Sequence, residues 1–225
     1  MTDLNRKALG GLVRFLIILM GLLFLPAWTL DYWQAWLFLV VFFGSSLAIT
    51  LDVMKNDPEL LERRLRAGPR AEKEKSQKII QLLASIMFLA AIVLPPIDYR
   101  FGWSAVPPYV VVAGDVLVAL GFLLVFLVFK ENSFASATIE IGAGQKVVST
   151  GPYAMVRHPM YLGGLLIFAG VPLALGSWWG LLTLVPSTAV IIWRLLDEEK
   201  LLVKSLPGYS EYRAKVKHRM VPLIW

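Results

Sequence analysis

The sequence predicts an all-α integral membrane protein of about six transmembrane helices, the last two a helical hairpin, followed by a C-terminal cytoplasmic amphipathic helix. Three observations predict it. Hydrophobic residues make up 57% of the 225 positions and come in long blocks, the pattern of bilayer spans. Charged residues are only 17%, against about 25% in soluble domains. Basic residues gather in alternate connectors, as the positive-inside rule requires.

The first apolar run is Leu9 to Leu30, opened by Arg6, Lys7 and Arg14. It is too long for a signal peptide, has no small-residue cleavage site, and a second run follows at once. That second run, Trp33 to Leu51, comes after a tight connector containing Asp31. Ile79 to Ile97 is the third, Val106 to Phe129 the fourth, and Met160 to Leu175, which contains Pro172, the fifth. Trp178 to Leu196 follows after only Gly176-Ser177, so the last two runs read as a hairpin. Runs of roughly 16–24 residues fit a bilayer that needs about 20, the shortest falling near the limit.

With six spans, four polar segments fall on one side: the N-terminus, the loop from Asp52 to Lys78, the connector from Lys130 to His158 and the tail from Asp197. They hold nearly all the Lys and Arg, with Arg100 alone on the other side. This predicts cytoplasmic termini. Trp28, Trp33, Trp36, Trp103, Trp178 and Trp179 sit near span ends, as an aromatic belt does. Two segments emerge: N-terminal spans over 1–129, with a basic loop 52–78, and a catalytic region over 130–225. In the 52–78 loop, Leu60, Leu61 and Leu65 have the spacing of an amphipathic helix lying on the membrane. A topology-fixing role is favoured there over a catalytic one.

Composition excludes several chemistries. There is no cysteine, so disulfides, thiolate nucleophiles and Cys-based metal sites are ruled out. His158 and His218 are the two histidines, too few to predict a metal site. The net charge of +6 is read as topology rather than nucleic-acid binding.

The densest polar stretch runs Gly151-Pro-Tyr153-Ala-Met-Val-Arg157-His158-Pro159-Met160-Tyr161-Leu-Gly163-Gly164. Pro159 suits the first helical position, and the N–H groups beyond it offer an anion seat. Gly163 and Gly164 would let a ligand approach the backbone. The competing reading is an interfacial anchor of aromatic and basic residues. Glu140-Ile-Gly142-Ala-Gly144 has the look of a nucleotide-binding turn, but no parallel sheet surrounds it, so a loop or short hairpin is expected. Arg194 and Glu198 are four apart and share a helix face, beside Asp197 and Glu199. The alternative for them is a surface ion pair with a snorkelling arginine. Asp115 is read as interfacial or helix-packing. In the tail, Tyr209, Tyr212, Val216 and Arg219 recur at helical spacing, and Pro222 stops the run.

Gly151-Pro-Tyr153, Arg157-His-Pro-Met-Tyr161, Glu198-Glu199-x-Leu201, Gly208-Tyr-Ser-Glu-Tyr212 and Arg219-x-x-Pro222 occur in one order. As a set they resemble the isoprenylcysteine carboxyl methyltransferase family and its phospholipid N-methyltransferase relatives, over about the last hundred residues. The resemblance implies an integral membrane enzyme using S-adenosylmethionine at the cytoplasmic face. It implies that Gln145, Lys146, Val147 and Val148 line the cofactor, with Tyr153, His158, Pro159, Met160 and Tyr161 holding it. Glu198 and Glu199 would bind its polar end, and Arg194 would face a lipophilic methyl acceptor entering from the bilayer. Methyl transfer needs positioning more than acid or metal. A carboxylate acceptor needs only orientation, which Arg194 could give. An amine acceptor needs a base, Glu198 or Glu199. A phospholipid amine acceptor, or a non-enzymatic transporter or scaffold, are the alternatives. The absence of paired intramembrane charges and of repeat halves speaks against a transporter.

Overall fold

A computed structural model of the chain describes every residue except Met1, Lys73, Glu140 and Ala143. The described residues form eight α-helices and no strand: α1 Asp3–Ala27, α2 Trp33–Asn56, α3 Pro58–Leu65, α4 Lys75–Phe101, α5 Pro108–Glu131, α6 Pro159–Ala174, α7 Leu184–Ser205 and α8 Tyr209–Lys215. Single 3₁₀ turns at Gly151–Ala154 and Trp179–Thr183 lead into α6 and α7. Five segments are long and apolar enough to cross a membrane: α1, α2, α4, α5 and Trp179–Ser205. At 16 residues, α6 rises about 24 Å, short of the roughly 30 Å hydrocarbon core. It nevertheless runs the depth of the bundle, because the Tyr32 hydroxyl, between α1 and α2, donates to the Leu175 carbonyl at its far end at 2.5 Å.

Helix limits follow local chemistry. The Thr2 hydroxyl caps α1 by accepting from the Asn5 N–H at 3.2 Å. This starts the helix six residues ahead of its apolar run. Trp28, left-handed at φ 59°, ends it. Asp57 accepts from the Leu60 N–H at 3.0 Å, and Pro58 takes the first helical position of α3. Gly102 closes α4 at φ 65°, five residues beyond the expected end. The last long helix continues through Asp197 to Ser205, so residues expected in the tail are helical.

The tightest packing joins α5 to α6, running antiparallel, so α6 pairs more closely with α5 than with its expected hairpin partner α7. Glycines cause this. A Cβ on Gly121 would stand 2.7 Å from the Gly163 carbonyl oxygen, and one on Gly170 would stand 2.6 Å from that of Gly114. Seven-residue spacing on both helices sets bare backbone against bare backbone, the small-residue contact typical of membrane helices. Gly163 therefore serves helix packing, not ligand approach, whereas a Cβ on Gly164 would meet open space. The main core draws on α1, α2, α4, α5 and α6 through Leu19, Phe38, Phe42, Ile92, Val118 and Leu175. Ile17, Leu25, Val40, Leu82 and Val185 are exposed, as lipid-facing side chains should be. Asp115 is 4% exposed, on the face of α5 that packs within the bundle, which favours the packing reading.

The basic loops converge on one end. Leu60 and Leu61 of α3 are buried against Ala8, Val53, Val128 and Ala135, so α3 packs into the bundle rather than lying on the membrane surface. The tail helix is shorter than expected. It ends at Lys215, and beyond it the chain runs alongside the start of α6, where the Arg157 and His158 N–H groups donate to the His218 and Arg219 carbonyls at 3.0 and 2.8 Å.

Candidate functional site

At the basic end, a hollow with about 870 Å³ of space between atoms, partly open to solvent, is enclosed by four chain segments. The connector contributes Gln145, Lys146, Val147 and Val148, and the approach to α6 contributes Tyr153 and His158 through Tyr161. Glu198, Leu201 and Leu202 enter from α7. Leu206, Tyr209 and Tyr212 close the outer side. Asn132, Ser136 and Thr138 complete the wall.

Several of its polar groups are held by identifiable partners. The Tyr161 hydroxyl donates to Glu198 at 2.5 Å. Asn132 donates to the Tyr153 hydroxyl at 2.9 Å, and the Tyr212 hydroxyl donates to the Tyr153 carbonyl at 2.7 Å. Burial pushes the Tyr153 phenol up to about 12, opposed in part by the Asn132 hydrogen bond. Burial likewise raises Tyr209 and Tyr212, so all three present neutral aromatic faces. The Tyr209 hydroxyl is buried at the wall of the hollow with no hydrogen-bond partner among the described residues. An orphaned buried hydroxyl costs roughly 1–3 kcal/mol, which a polar ligand in the hollow would offset.

Glu199 lies one residue from Glu198 but does not line the hollow. It is 5% exposed and accepts from Arg157 Nε at 2.6 Å, from Arg219 Nε at 3.1 Å and, at 3.4 Å, faces His158 Nε2. Arg157 also donates to the Val216 and Lys217 carbonyls, both at 2.8 Å. Glu199 is thus a clamp that fastens the tail to the start of α6. The physical reason is the helical turn: adjacent residues on α7 point about 100° apart, so one carboxylate faces the hollow and the next faces the tail. The expected anion seat is also altered, because the Tyr161 and Leu162 N–H groups bond back to the His158 carbonyl at 3.2 and 3.4 Å.

Arg194 does not pair with Glu198. Its guanidinium meets Glu72 at 3.0 Å, Gln77 Oε1 at 3.1 Å and the Ala137 carbonyl at 2.9 Å. Glu72 is 3% exposed and also accepts from Gln81 and from the Ile139 N–H, both at 3.2 Å. The 52–78 loop therefore does more than fix topology, because its buried carboxylate holds Arg194 and the connector together. Sequence reasoning missed Glu72, and the signal for it was weak: one acid among many charges. Gly142 and Gln145 form a turn, with Gly142 N–H donating to Gln145 Oε1 at 2.9 Å. Glu140 and Ala143 of the same glycine-containing stretch lie outside the described residues. Among the described residues no group of His, Asp and Glu has the geometry of a metal site.

Comparison with known proteins adds a family. Residues 109–207 match the phospholipid methyltransferase family, and that segment contains α5, the connector, α6 and Glu198. A mouse (Mus musculus) protein named Delta(14)-sterol reductase TM7SF2 is 30% identical over 91 residues, 39% of this chain and 22% of that protein. The chain thus spans about a fifth of that relative's length. Over the segment that builds both the glycine-packed helix pair and most of the hollow, this multi-pass membrane chain is similar to the phospholipid methyltransferase family.

Proposed function

We propose that the hollow binds S-adenosylmethionine and that the protein methylates the carboxylate of a lipophilic acceptor at the cytoplasmic face. The observation that carries this reading is the meeting of residues 145–148, Tyr153, 158–161 and Glu198 around one space. The chemistry of the lining suits the cofactor: Glu198 opposes its cationic end, Lys146 its carboxylate, and tyrosine faces its adenine or sulfonium. The unpartnered Tyr209 hydroxyl adds a free polar contact. When bound, the cofactor supplies a methyl group on a positively charged sulfur.

The residues present hold and orient. The Tyr161 hydroxyl fixes the Glu198 side chain in place by donating to it. The Leu206, Tyr209 and Tyr212 wall covers the outer side of the hollow and so reduces the water that would screen charges inside. A carboxylate acceptor would form the C–O bond with its own lone pair while the electrons of the S–C bond would stay with the departing sulfur, so that no acid or base would be required of the residues present. An amine acceptor would need Glu198 as base, and the Tyr161 hydrogen bond that Glu198 already accepts disfavours that role.

Calorimetric titration of the detergent-solubilised protein tests the reading. S-adenosylmethionine should bind to wild type and about tenfold to a hundredfold more weakly to Glu198→Gln, the value of a charged hydrogen bond. A nicotinamide dinucleotide serves as competing ligand, since one relative is named a reductase. Mass analysis of prenylated acids and phospholipid amines after incubation with labelled cofactor separates the two acceptor classes. A transporter or scaffold would bind no cofactor, and neither binding nor labelling would end the proposal.

A further inference from the structure

A second hollow, distinct from the first, opens between α1, α2, α4 and α5 at their basic ends, with about 1790 Å³ of space between atoms, part of it open to the surroundings. Its walls are mostly apolar, among them Leu12, Phe15, Ile49, Phe88, Phe122 and Val125, with Ser46 and Thr50 of α2 adding hydroxyls. From Phe129 to Phe122, or from Ala8 to Phe15, it descends about 10 Å along the helices. Its polar end is Arg64 of α3. That guanidinium donates from Nη1 to the Ser136 carbonyl at 3.1 Å, sits 3.7 Å from Met160 Sδ and lies 5.1 Å over the Phe129 ring. Ser136 and Met160 both line the first hollow. Arg64 therefore stands in the partition between the two.

Arg64 is half-buried, and no carboxylate among the described residues pairs with it. Burial, and the charge of Arg194 nearby, push its guanidinium down to about 10, still charged at neutral pH. Its Nε and Nη2 make no hydrogen bond among the described residues, so part of a planar fork that suits a carboxylate is unused. Arg194, by contrast, is already engaged by Glu72. An apolar slot ending on a cation without an anion complements one chemistry: a hydrocarbon chain that terminates in a carboxylate.

We propose that this groove holds the chain of a single-tailed lipophilic acid and that Arg64, rather than Arg194, receives its carboxylate at the threshold of the first hollow. The assignment of a specificity-determining residue rests on the methyl-transfer reading for what happens to the carboxylate, but not for its binding. A zwitterionic or cationic headgroup would leave the Arg64 charge unopposed and is selected against.

Fluorescence titration of the solubilised wild-type protein with cis-parinaric acid and with its methyl ester tests this, alongside calorimetric titration with S-adenosylmethionine. The acid should bind, and Arg64→Gln should weaken it roughly tenfold to a hundredfold, with the ester little changed. Arg64→Lys should retain part of the preference for the acid. Gly11→Phe adds bulk to the wall of the groove at a position where a Cβ meets nothing within 4 Å, and should weaken acid and ester alike. Gly11→Phe should keep wild-type affinity for S-adenosylmethionine, a readout that also reports folding, and retained ester binding reports folding of Arg64→Gln. Equal acid affinity in wild type and Arg64→Gln, or unchanged binding in Gly11→Phe, overturns the proposal. Loss of acid and ester together in Arg64→Gln would mark a merely structural arginine and overturn it too. Acid selectivity at Arg64 in a protein that binds no S-adenosylmethionine would instead sustain this site and refute the proposed function.

Discussion

Glu199→Gln isolates the clamp that fastens the tail. The substitution keeps size and removes the charge that opposes Arg157 at 2.6 Å and Arg219 at 3.1 Å. Both Glu199 and Arg157 are nearly fully buried, so the loss strands a buried guanidinium. Breaking such a pair costs about 3–5 kcal/mol. Because the partners lie on α7, the approach to α6 and the tail, the cost falls on tail docking rather than on the bundle. At about 1.36 kcal/mol per decade, the population with the tail open rises on the order of a hundredfold to several thousandfold. Leu206, Tyr209 and Tyr212 lie between α7 and the clamp and line the first hollow, so S-adenosylmethionine affinity should fall with tail closure. Hydrogen exchange read at residues 206–222 is the assay, with α1 and α2 as internal controls. Protection of the tail equal to wild type, with the bundle unaffected, would refute the reasoning. A uniform loss of protection throughout would show that Glu199 supports the whole fold.

Other expected outcomes follow from the same geometry. Gly121→Ala places a Cβ 2.6 Å from Ile167 and 2.7 Å from the Gly163 carbonyl and should cost about 1–3 kcal/mol, read as a lower melting temperature in detergent. Gly164→Ala, in open space, should leave that temperature unchanged or slightly raised. Glu72→Gln strands Arg194, whose partner Glu72 is 3% exposed, and should destabilise by about 3–5 kcal/mol, read by denaturant titration. For alkaline pH, Tyr153, Tyr209 and Tyr212 are all raised by burial. Their contribution to stability is fully present below the ordinary phenol value of about 10 and is lost as pH rises toward about 12 for Tyr153, because the unfolded chain ionises first. Tyrosinate absorbance and circular dichroism followed together should change over that window, and a flat signal through it would contradict the burial argument.

Much of the fold was legible because lipid imposes a simple rule. A span must be long, apolar and helical to satisfy its backbone, and basic connectors mark one side. The segments of the first hollow were legible as well, since Tyr153, His158 to Tyr161 and Glu198 stand out as polar groups beside apolar runs. Among the expectations that the structure corrects, two have a cause visible in the sequence pattern itself. Gly163 was taken for ligand approach, yet Gly114, Gly121, Gly163 and Gly170 repeat at seven residues and instead let α5 and α6 touch. The Leu60–Leu61–Leu65 face was placed on the membrane, yet amphipathicity alone does not say which apolar surface a helix covers. Leu60 and Leu61 found the bundle.

By itself the sequence determined that the chain is helical, where its spans run and which polar segments share one side, because hydropathy and charge are properties of contiguous residues. Tertiary structure alone decided which cation has a counter-charge. Arg194 meets Glu72 from more than a hundred residues away, Glu199 turns from Glu198 to hold the tail, and Arg64 is left facing an apolar slot. Pairing of charges depends on separations of a few ångströms between distant segments, a quantity that no local pattern in the chain encodes.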